Sequence, residues 1–265
     1  MAQEAAAFLA RAGYAQRKRV PSGVADVEFV YLHPRDVVTY VGSGACDFGL
    51  ASLDLLRESD VYAESILDLG FGHTTLRFGA PLGRFAALED LANMRVATAY
   101  PRLAAKALRD AGVAATVIAL ESVEGVARYG LADAVLATSD ELARNCLETF
   151  GPLVLDTVAW LLASPAERAG SAAVAVVFRK RLEGALTARR FVLVDYTCPR
   201  VLLPATLALT PHRARSAVVT SLQAEGWVAV RVLVPTTKAP ETMDGLHALG
   251  ARAVLATALR AARMP

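Results

Sequence analysis

Arg35 beside Asp36, and the run Thr138-Ser139-Asp140-Glu141 with Arg144 close behind, gather cations, hydroxyls and carboxylates where helices are expected to start. A guanidinium offers a rigid fork of donors that suits phosphate or carboxylate, and hydroxyls near an arginine at a helix start can hold an anion. The same residues have plain structural readings. Arg35 and Asp36 make a helix-start ion pair, Asp54 a charge in a first turn and Glu124 a solvated helix residue. The second run reads best as a capped helix, with Ser139 as N-cap and Asp140 and Glu141 in its first turn. His33, His73, His212 and His247 are dispersed and stand in no H-x-E, H-E-x-x-H or nucleophile-and-base pattern, so they read as surface or turn residues. No G-x-S-x-G elbow, Walker loop or dinucleotide fingerprint occurs. Cys46, Cys146 and Cys198 are too few and too scattered for a disulfide framework or a tetrahedral metal site, which points to a reducing cytoplasm without structural zinc.

The elements that must position these residues alternate between helix and strand, the pattern of α/β units with a largely parallel sheet. A helix is expected over 2–12, a strand over 27–32, a helix over 34–41, a short strand over 47–50 and a helix from about 52. A second series follows: strand 94–98, helix 101–111, strand 116–120, helix 122–129 and buried strand 134–136. Residues 158–163 and 173–178 then read as a strand and a segment returning to the first lobe. From 189 the rhythm becomes strand, helix, strand, strand, helix, strand, the βαββαβ order of a ferredoxin-like module. Lobe I is therefore assigned to 1–74 with 164–188, lobe II to 75–163, and a C-terminal regulatory or oligomerisation domain to 189–265. A chain that crosses twice between two lobes places a ligand cleft where they meet.

Composition narrows the classes of partner. The 265 residues are 54% hydrophobic, and 28 Lys+Arg against 26 Asp+Glu leave a formal charge of +2. That balance argues against binding nucleic acid through phosphate contacts. Much of the apolar fraction is alanine, and no charge-free stretch approaches the ~18 residues that span a bilayer. Glu4 and Arg11 interrupt any secretory leader.

Several strings, in order along nearly the whole chain, resemble the long form of ATP phosphoribosyltransferase. They are Leu32-His33-Pro34-Arg35-Asp36-Val37, Val41-Gly42-Ser43-Gly44 with Asp47-Phe48-Gly49, Leu69-Gly70-Phe71-Gly72 and Arg95-Val96-Ala97-Thr98-Ala99-Tyr100-Pro101. They continue with Leu131-Ala132-Asp133-Ala134, Asp195-Tyr196 with Cys198-Pro199-Arg200, and Gly226-Trp227-Val228-Ala229-Val230-Arg231. The resemblance implies two periplasmic-binding-protein-like α/β lobes plus a C-terminal ferredoxin-like βαββαβ domain. It also implies a cytoplasmic homo-oligomer, dimer or hexamer, that joins ATP to phosphoribosyl pyrophosphate at adenine N1 with Mg²⁺, opening histidine biosynthesis. Such a reaction displaces pyrophosphate from an anomeric carbon, so most of the catalysis is positioning and electrostatics.

By the same resemblance Arg35 falls on the basic residue of the family's R-P-R/K-D motif, Asp54 on the acid of T-G-x-D, and Tyr100 on the tyrosine of T-x-Y-P. Glu124 falls on an acid placed to bind a ribose hydroxyl or Mg²⁺. Three departures accompany it. The sequence starts within what would be the family's first helix, without the preceding strand and K-G-R-L-type loop. The family's phosphate loop, D-x-x-x-S/T-G-x-T-L, is replaced by the shorter, glycine-free run 137–144, where Thr138, Ser139 and Arg144 remain as possible anion ligands. In the C-terminal domain Thr197, Arg213 and Arg215 stand at the family's histidine-binding positions, which makes an anionic effector, or none, the expectation. Together these departures point to a diverged enzyme acting on ATP or a related purine nucleotide, recruited to a purine-derived nucleoside antibiotic pathway of the pentostatin or coformycin type. The alternatives are a genuine ATP phosphoribosyltransferase of histidine synthesis and a non-catalytic partner of a competent homologue.

Overall fold

The computed structural model describes residues 2–14, 19–21, 26–126, 129–166, 171–210 and 217–263. The chain opens with α1 (Ala2–Arg11) and the antiparallel pair β1 (Arg19–Pro21) and β2 (Asp26–Glu28). α2 (Pro34–Gly42) begins on proline, whose missing N–H costs nothing at a first helical position, and buries Val38 and Val41. β3 (Phe48–Ser52), α3 (Leu53–Glu58) and β4 (Glu64–Asp68) follow. Next come β5 (Thr74–Ala80), β6 (Arg95–Thr98), α4 (Pro101–Asp110), β7 (Thr116–Ala119), β8 (Ala134–Thr138), α5 (Ser139–Arg144), β9 (Glu148–Thr157) and β10 (Ala159–Ala163). The last elements are α6 (Ser171–Arg190), β11 (Phe191–Pro199), α7 (Leu203–Ala208), β12 (Val218–Ser221), β13 (Trp227–Pro235), α8 (Ala239–Ala248) and β14 (Arg252–Ala258).

Two compact units result, one built on Val30–Ser171 and the other on Ala5–Phe29 with Ala172–Pro265. The first unit carries two lobes, each with its own sheet. In lobe I the order is β3-β10-β4, all antiparallel. In lobe II it is β7-β6-β8-β5-β9, with β6 parallel to both β7 and β8 and β5 antiparallel to its neighbours. The chain passes to lobe II between β4 and β5 and returns between β9 and β10, and the two crossings are tied by Leu69 N–H to Ala159 O at 3.0 Å and Ala159 N–H to Phe71 O at 2.9 Å. Gly70 and Gly72 bend one crossing at φ of 61° and 66°, the left-handed region that suits glycine. Parallel β6 and β8 are buried on both faces, so their runs are continuous small apolar residues rather than alternating ones.

In the second unit the sheet order is β12-β13-β11-β14, antiparallel throughout, the arrangement of a βαββαβ ferredoxin-like module. Val194, Tyr196 and Cys198 on β11 and Val228, Val230, Val232 and Val234 on β13 alternate into its core, as period-two pleating requires. The expected α/β class and the C-terminal βαββαβ order are therefore found.

Local readings differ at four places. The strand expected over 27–32 ends at Glu28. In place of the helix expected over 122–129, residues 124–126 form a turn, with Gly125 at φ 69°, a conformation no α-helix contains. The segment 173–178 lies inside the 20-residue helix α6. The cap of α5 is Thr138, not Ser139, one residue earlier than the polar run alone indicates. No helix among the described residues is long and apolar enough to cross a membrane.

Candidate functional site

The cleft side of the first unit is organised by the turn from β6 into α4. Thr98, fully buried, donates its hydroxyl to Leu136 O at 2.7 Å and accepts the N–H of Tyr100 at 2.8 Å, which pins the turn to neighbouring β8. Parallel strands whose C-terminal ends deliver helix N-termini to a crevice are the usual place for a ligand in an α/β fold. A pocket of about 310 Å³ lies there, lined by Arg35, Glu58, Ser59, Thr98, Ala99 and Glu121 among others.

Arg35 reaches across from α2 of lobe I. Its guanidinium donates to the carbonyl of Ala99, lies 3.7 Å from Glu121 Oε2 and sits 5.7 Å from the centroid of the Tyr100 ring. With its side chain one-third exposed, it is a cation held in place yet open to the pocket. Glu121 follows β7 and is 86% exposed, a carboxylate on the rim.

Behind this rim is a buried polar chain. Asp54, 3% exposed in the first turn of α3, accepts the Thr157 hydroxyl at 3.1 Å, and its own N–H donates to the same oxygen at 3.2 Å. The Tyr100 phenol lies within electrostatic reach of Asp54. Burial first, then the Asp54 charge, pushes the Tyr100 phenol above the ordinary tyrosine range, with Glu141 adding to the rise and Arg35 opposing it. Tyr100 is thus a neutral hydroxyl at physiological pH.

Two helix N-termini open from adjacent strands, and each holds a carboxylate of this chain. At α5, Glu141 Oε2 accepts from Thr138 N at 3.1 Å and Thr138 Oγ1 at 2.9 Å, while Thr138 Oγ1 accepts from Glu141 N at 3.4 Å, a capping box. At α4, Glu58 Oε1 accepts from Arg102 N at 2.9 Å and Oε2 from Leu103 N at 3.0 Å.

Of the residues singled out in the sequence, the structure brings Arg35, Asp54 and Tyr100 together. Thr138 is spent on the cap. Ser139 Oγ lies 3.3 Å from Thr74 Oγ1 and accepts from Thr75 N at 3.4 Å. Arg144 is exposed and donates back to Asp140 O at 3.3 Å. Glu124 is an exposed turn residue whose N–H meets Ser122 Oγ at 3.2 Å, and the acid facing Arg35 is Glu121, three positions earlier. Thr197 donates to Arg252 O at 3.1 Å within the C-terminal sheet; Arg213 and Arg215 lie outside the described residues. Sequence reasoning passed over Glu58, Glu121 and Thr157. Only Glu121, directly after a strand of the parallel set, carried a local signal.

No group of three or more His, Cys, Asp or Glu side chains among the described residues is arranged to hold a metal ion. Asp54, Glu58 and Glu141 are already taken by hydroxyl or amide donors, which leaves Glu121 as the carboxylate open at the pocket. Such a donor set fits an ion that arrives on substrate phosphates and keeps most of its waters, as Mg²⁺ does, rather than a resident metal centre. A larger open groove of about 710 Å³ lies beside Gly83, Arg84 and Glu148, but its Glu148 and Asp90 are paired with backbone amides. It shares no lining residue with the Arg35 pocket.

The profile of the family described as ATP phosphoribosyltransferase matches residues 33–184, and that of the HisG C-terminal domain matches 188–261. The chain is 41% identical over 271 aligned positions to the ATP phosphoribosyltransferase of Streptomyces avermitilis, covering 98% of this chain and 95% of that protein. It is 38% identical over 276 positions to that of an Arthrobacter species, covering 100% and 96%. Among solved structures it is similar to a chain of the ATP phosphoribosyl transferase (HisG:HisZ) complex from Thermotoga maritima, with a TM-score of 0.58 and 20% identity over 70% of this chain and 93% of that one, a likeness of fold. Matched along both lobes and the C-terminal module, the chain belongs to the ATP phosphoribosyltransferase family of glycosyl-transferring enzymes.

Proposed function

We propose that this chain catalyses transfer of a phosphoribosyl group from phosphoribosyl pyrophosphate to N1 of ATP, as the first step of histidine biosynthesis. The observation that carries the reading is full-length similarity at about 40% identity to proteins of that name, spanning every element that builds the pocket. In the reaction the bond from anomeric carbon to pyrophosphate oxygen breaks, pyrophosphate leaves with the electron pair, and the adenine N1 lone pair forms the new bond. Arg35 supplies a fixed cation for a phosphate. Glu121 faces it as acceptor for a ribose hydroxyl or for the waters of a phosphate-borne Mg²⁺. Asp54, Thr157 and Tyr100 lie behind the pocket and hold the β6-to-α4 wall that faces the base. Mg²⁺, when bound to the diphosphate, offsets its charge as it leaves. We read the assembly as a homo-oligomer.

A role in nucleoside antibiotic synthesis, expected from the altered 137–144 run, gains no support from relatives that carry the transferase name at this identity. One observation favours a second reading, a nucleotide-binding chain without transfer chemistry: a carboxylate of this chain already sits at each of the α4 and α5 N-termini, and at α4 it takes both amides that a phosphate would use. Incubation with ATP, phosphoribosyl pyrophosphate, Mg²⁺ and pyrophosphatase, read by mass spectrometry, decides between them. Phosphoribosyl-ATP is the expected product. No adduct, together with protection of the chain by ATP against thermal unfolding, overturns the transferase reading in favour of the second.

A further inference from the structure

Helix α4 has no cap of its own. Its first residue is proline and has no N–H, its N-cap residue Tyr100 makes no capping bond, and Ala104 N–H is the first to find a partner in its own turn, Tyr100 O at 2.9 Å. The two remaining donors, Arg102 N and Leu103 N, both go to Glu58. Glu58 belongs to α3, in the other lobe. Four residues earlier on α3 and therefore on the same face, Asp54 bears electrostatically on the phenol of Tyr100. Both acids are buried, at 3% and 7% exposure. Arg35, also from lobe I, takes the carbonyl of Ala99, and Arg102 is ion-paired with Asp60 just past α3. The β6-to-α4 turn is thus gripped from lobe I by anions on its donors and by a cation on its acceptor.

We propose that Glu58 is a positioning residue that clamps the two lobes at the nucleotide pocket. It replaces the missing cap of α4 with a carboxylate from across the cleft, so the helix start is fully bonded only when the lobes stand at the separation that also lets Arg35 meet Ala99 O. A local Ser or Asp cap would satisfy the same amides at any lobe separation. The clamp therefore converts an ordinary helix-capping interaction into a setting of pocket width: both Glu58 oxygens are taken by the α4 amides, and the residue acts on substrate through the Thr98–Pro101 wall.

Only the kinetic arm of the test rests on the transferase reading. Glu58→Gln keeps the shape and one acceptor but loses the charge. Loss of a charge-assisted bond at each amide should speed hydrogen exchange of Arg102 and Leu103 about tenfold or more, with later α4 amides unchanged. It should also raise KM for ATP about tenfold with kcat within about twofold, the split expected when a wall is loosened rather than a reacting group lost. Asp110→Asn, which removes only the exposed pair with Lys106 at the far end of α4, should leave all of these unchanged. Fast exchange with unaltered KM overturns the proposal and makes Glu58 a simple cap, and unaltered exchange overturns it outright. Should Glu58→Gln not fold, the wild type decides: Arg102 and Leu103 amides exchanging at open-chain rates overturn the clamp, and strong protection supports it. A wild type that makes no phosphoribosyl-ATP counts against the transferase reading alone; the clamp is then judged from exchange and from the calorimetric Kd for ATP.

Discussion

Tyr100 joins the chemistry of the site to its stability. Its phenol is buried beside Asp54, and its pKa is raised by burial first and by the Asp54 charge second. A raised folded-state pKa favours the protonated form in the native protein, so the contribution is full below the unfolded tyrosine value of about 10 and is lost as pH rises past it. Tyr100→Phe should therefore change stability near neutral pH by about 1 kcal/mol at most and flatten the alkaline limb above pH ~10. Urea midpoints measured across pH 7 to 11 for both proteins check this. Arg35 tests geometry instead of burial. It spreads one guanidinium over the Ala99 carbonyl and the Glu121 carboxylate, a task for a planar fork that a single ammonium cannot match. Arg35→Lys should lower kcat/KM about tenfold although the charge is kept, as read by steady-state kinetics in ATP.

At the scale of elements, α5 shows how near and how far the sequence reaches. Polar residues ahead of an apolar turn announce a capped helix, but whether Thr138 or Ser139 is the cap depends on where β8 ends, which the sheet register sets: Thr138 pairs with Leu76 of β5 and so is still extended. Thr138→Ala should cost about 1 kcal/mol, the usual worth of an N-cap, whereas Ser139→Ala should stay within about 0.5 kcal/mol because Ser139 makes only long contacts to Thr74 and Thr75. Thermal melts of the two variants give the comparison. β9 was not legible for a related reason. Gly151 and Pro152 are local turn signals, yet pairing with β5 carries the strand through them with a register shift between Leu76 and Phe78, so tertiary pairing overrides local preference. The C-terminal module was legible because alternation along Trp227–Pro235 is undisturbed and its helices are short and separately bounded. Close packing also fixes where Arg35 stands. A Cβ on Gly49 of β3 would lie 2.6 Å from Val37 Cγ1 and 2.7 Å from Val41 Cγ2, so Gly49→Ala should push α2 outward. It should cost about 1–3 kcal/mol and also weaken ATP binding in calorimetry.

For the molecule as a whole, the side chains around the pocket that sequence missed are those whose partners are supplied by topology. Glu58 meets amides more than forty residues downstream, and Thr157 meets Asp54 across 103 residues; a backbone N–H leaves no trace in side-chain spelling, so neither pairing can be read before the lobes are built. Arg35 and Tyr100 were singled out because they fall on the R-P-R/K-D and T-x-Y-P motifs of the family that the sequence resembles. The same dependence on topology holds lobe II together. Asp133, just ahead of β8, accepts from Arg95 N at 3.0 Å at the start of β6 and pairs with Arg84 at 2.8 Å beyond β5, so one carboxylate ties three segments of a five-stranded sheet. The Arg95 amide is the largest influence and holds its carboxyl below the usual carboxylate range; burial, the next largest, opposes it, and the Arg95 and Arg84 guanidiniums add to the lowering. A depressed folded-state pKa means that the stabilisation is present above the unfolded value of about 3.9 and disappears as pH falls through the folded value. Asp133→Asn should therefore be less stable than the wild type at pH 7, and the two urea midpoints should converge as pH is lowered from 5 toward 3. Because the guanidiniums are solvent-facing, added salt should narrow the pH 7 gap without closing it, since the amide bond is local and poorly screened. A gap that stays constant with pH would show that Asp133 acts by shape alone and that its charge contributes nothing to holding the lobe.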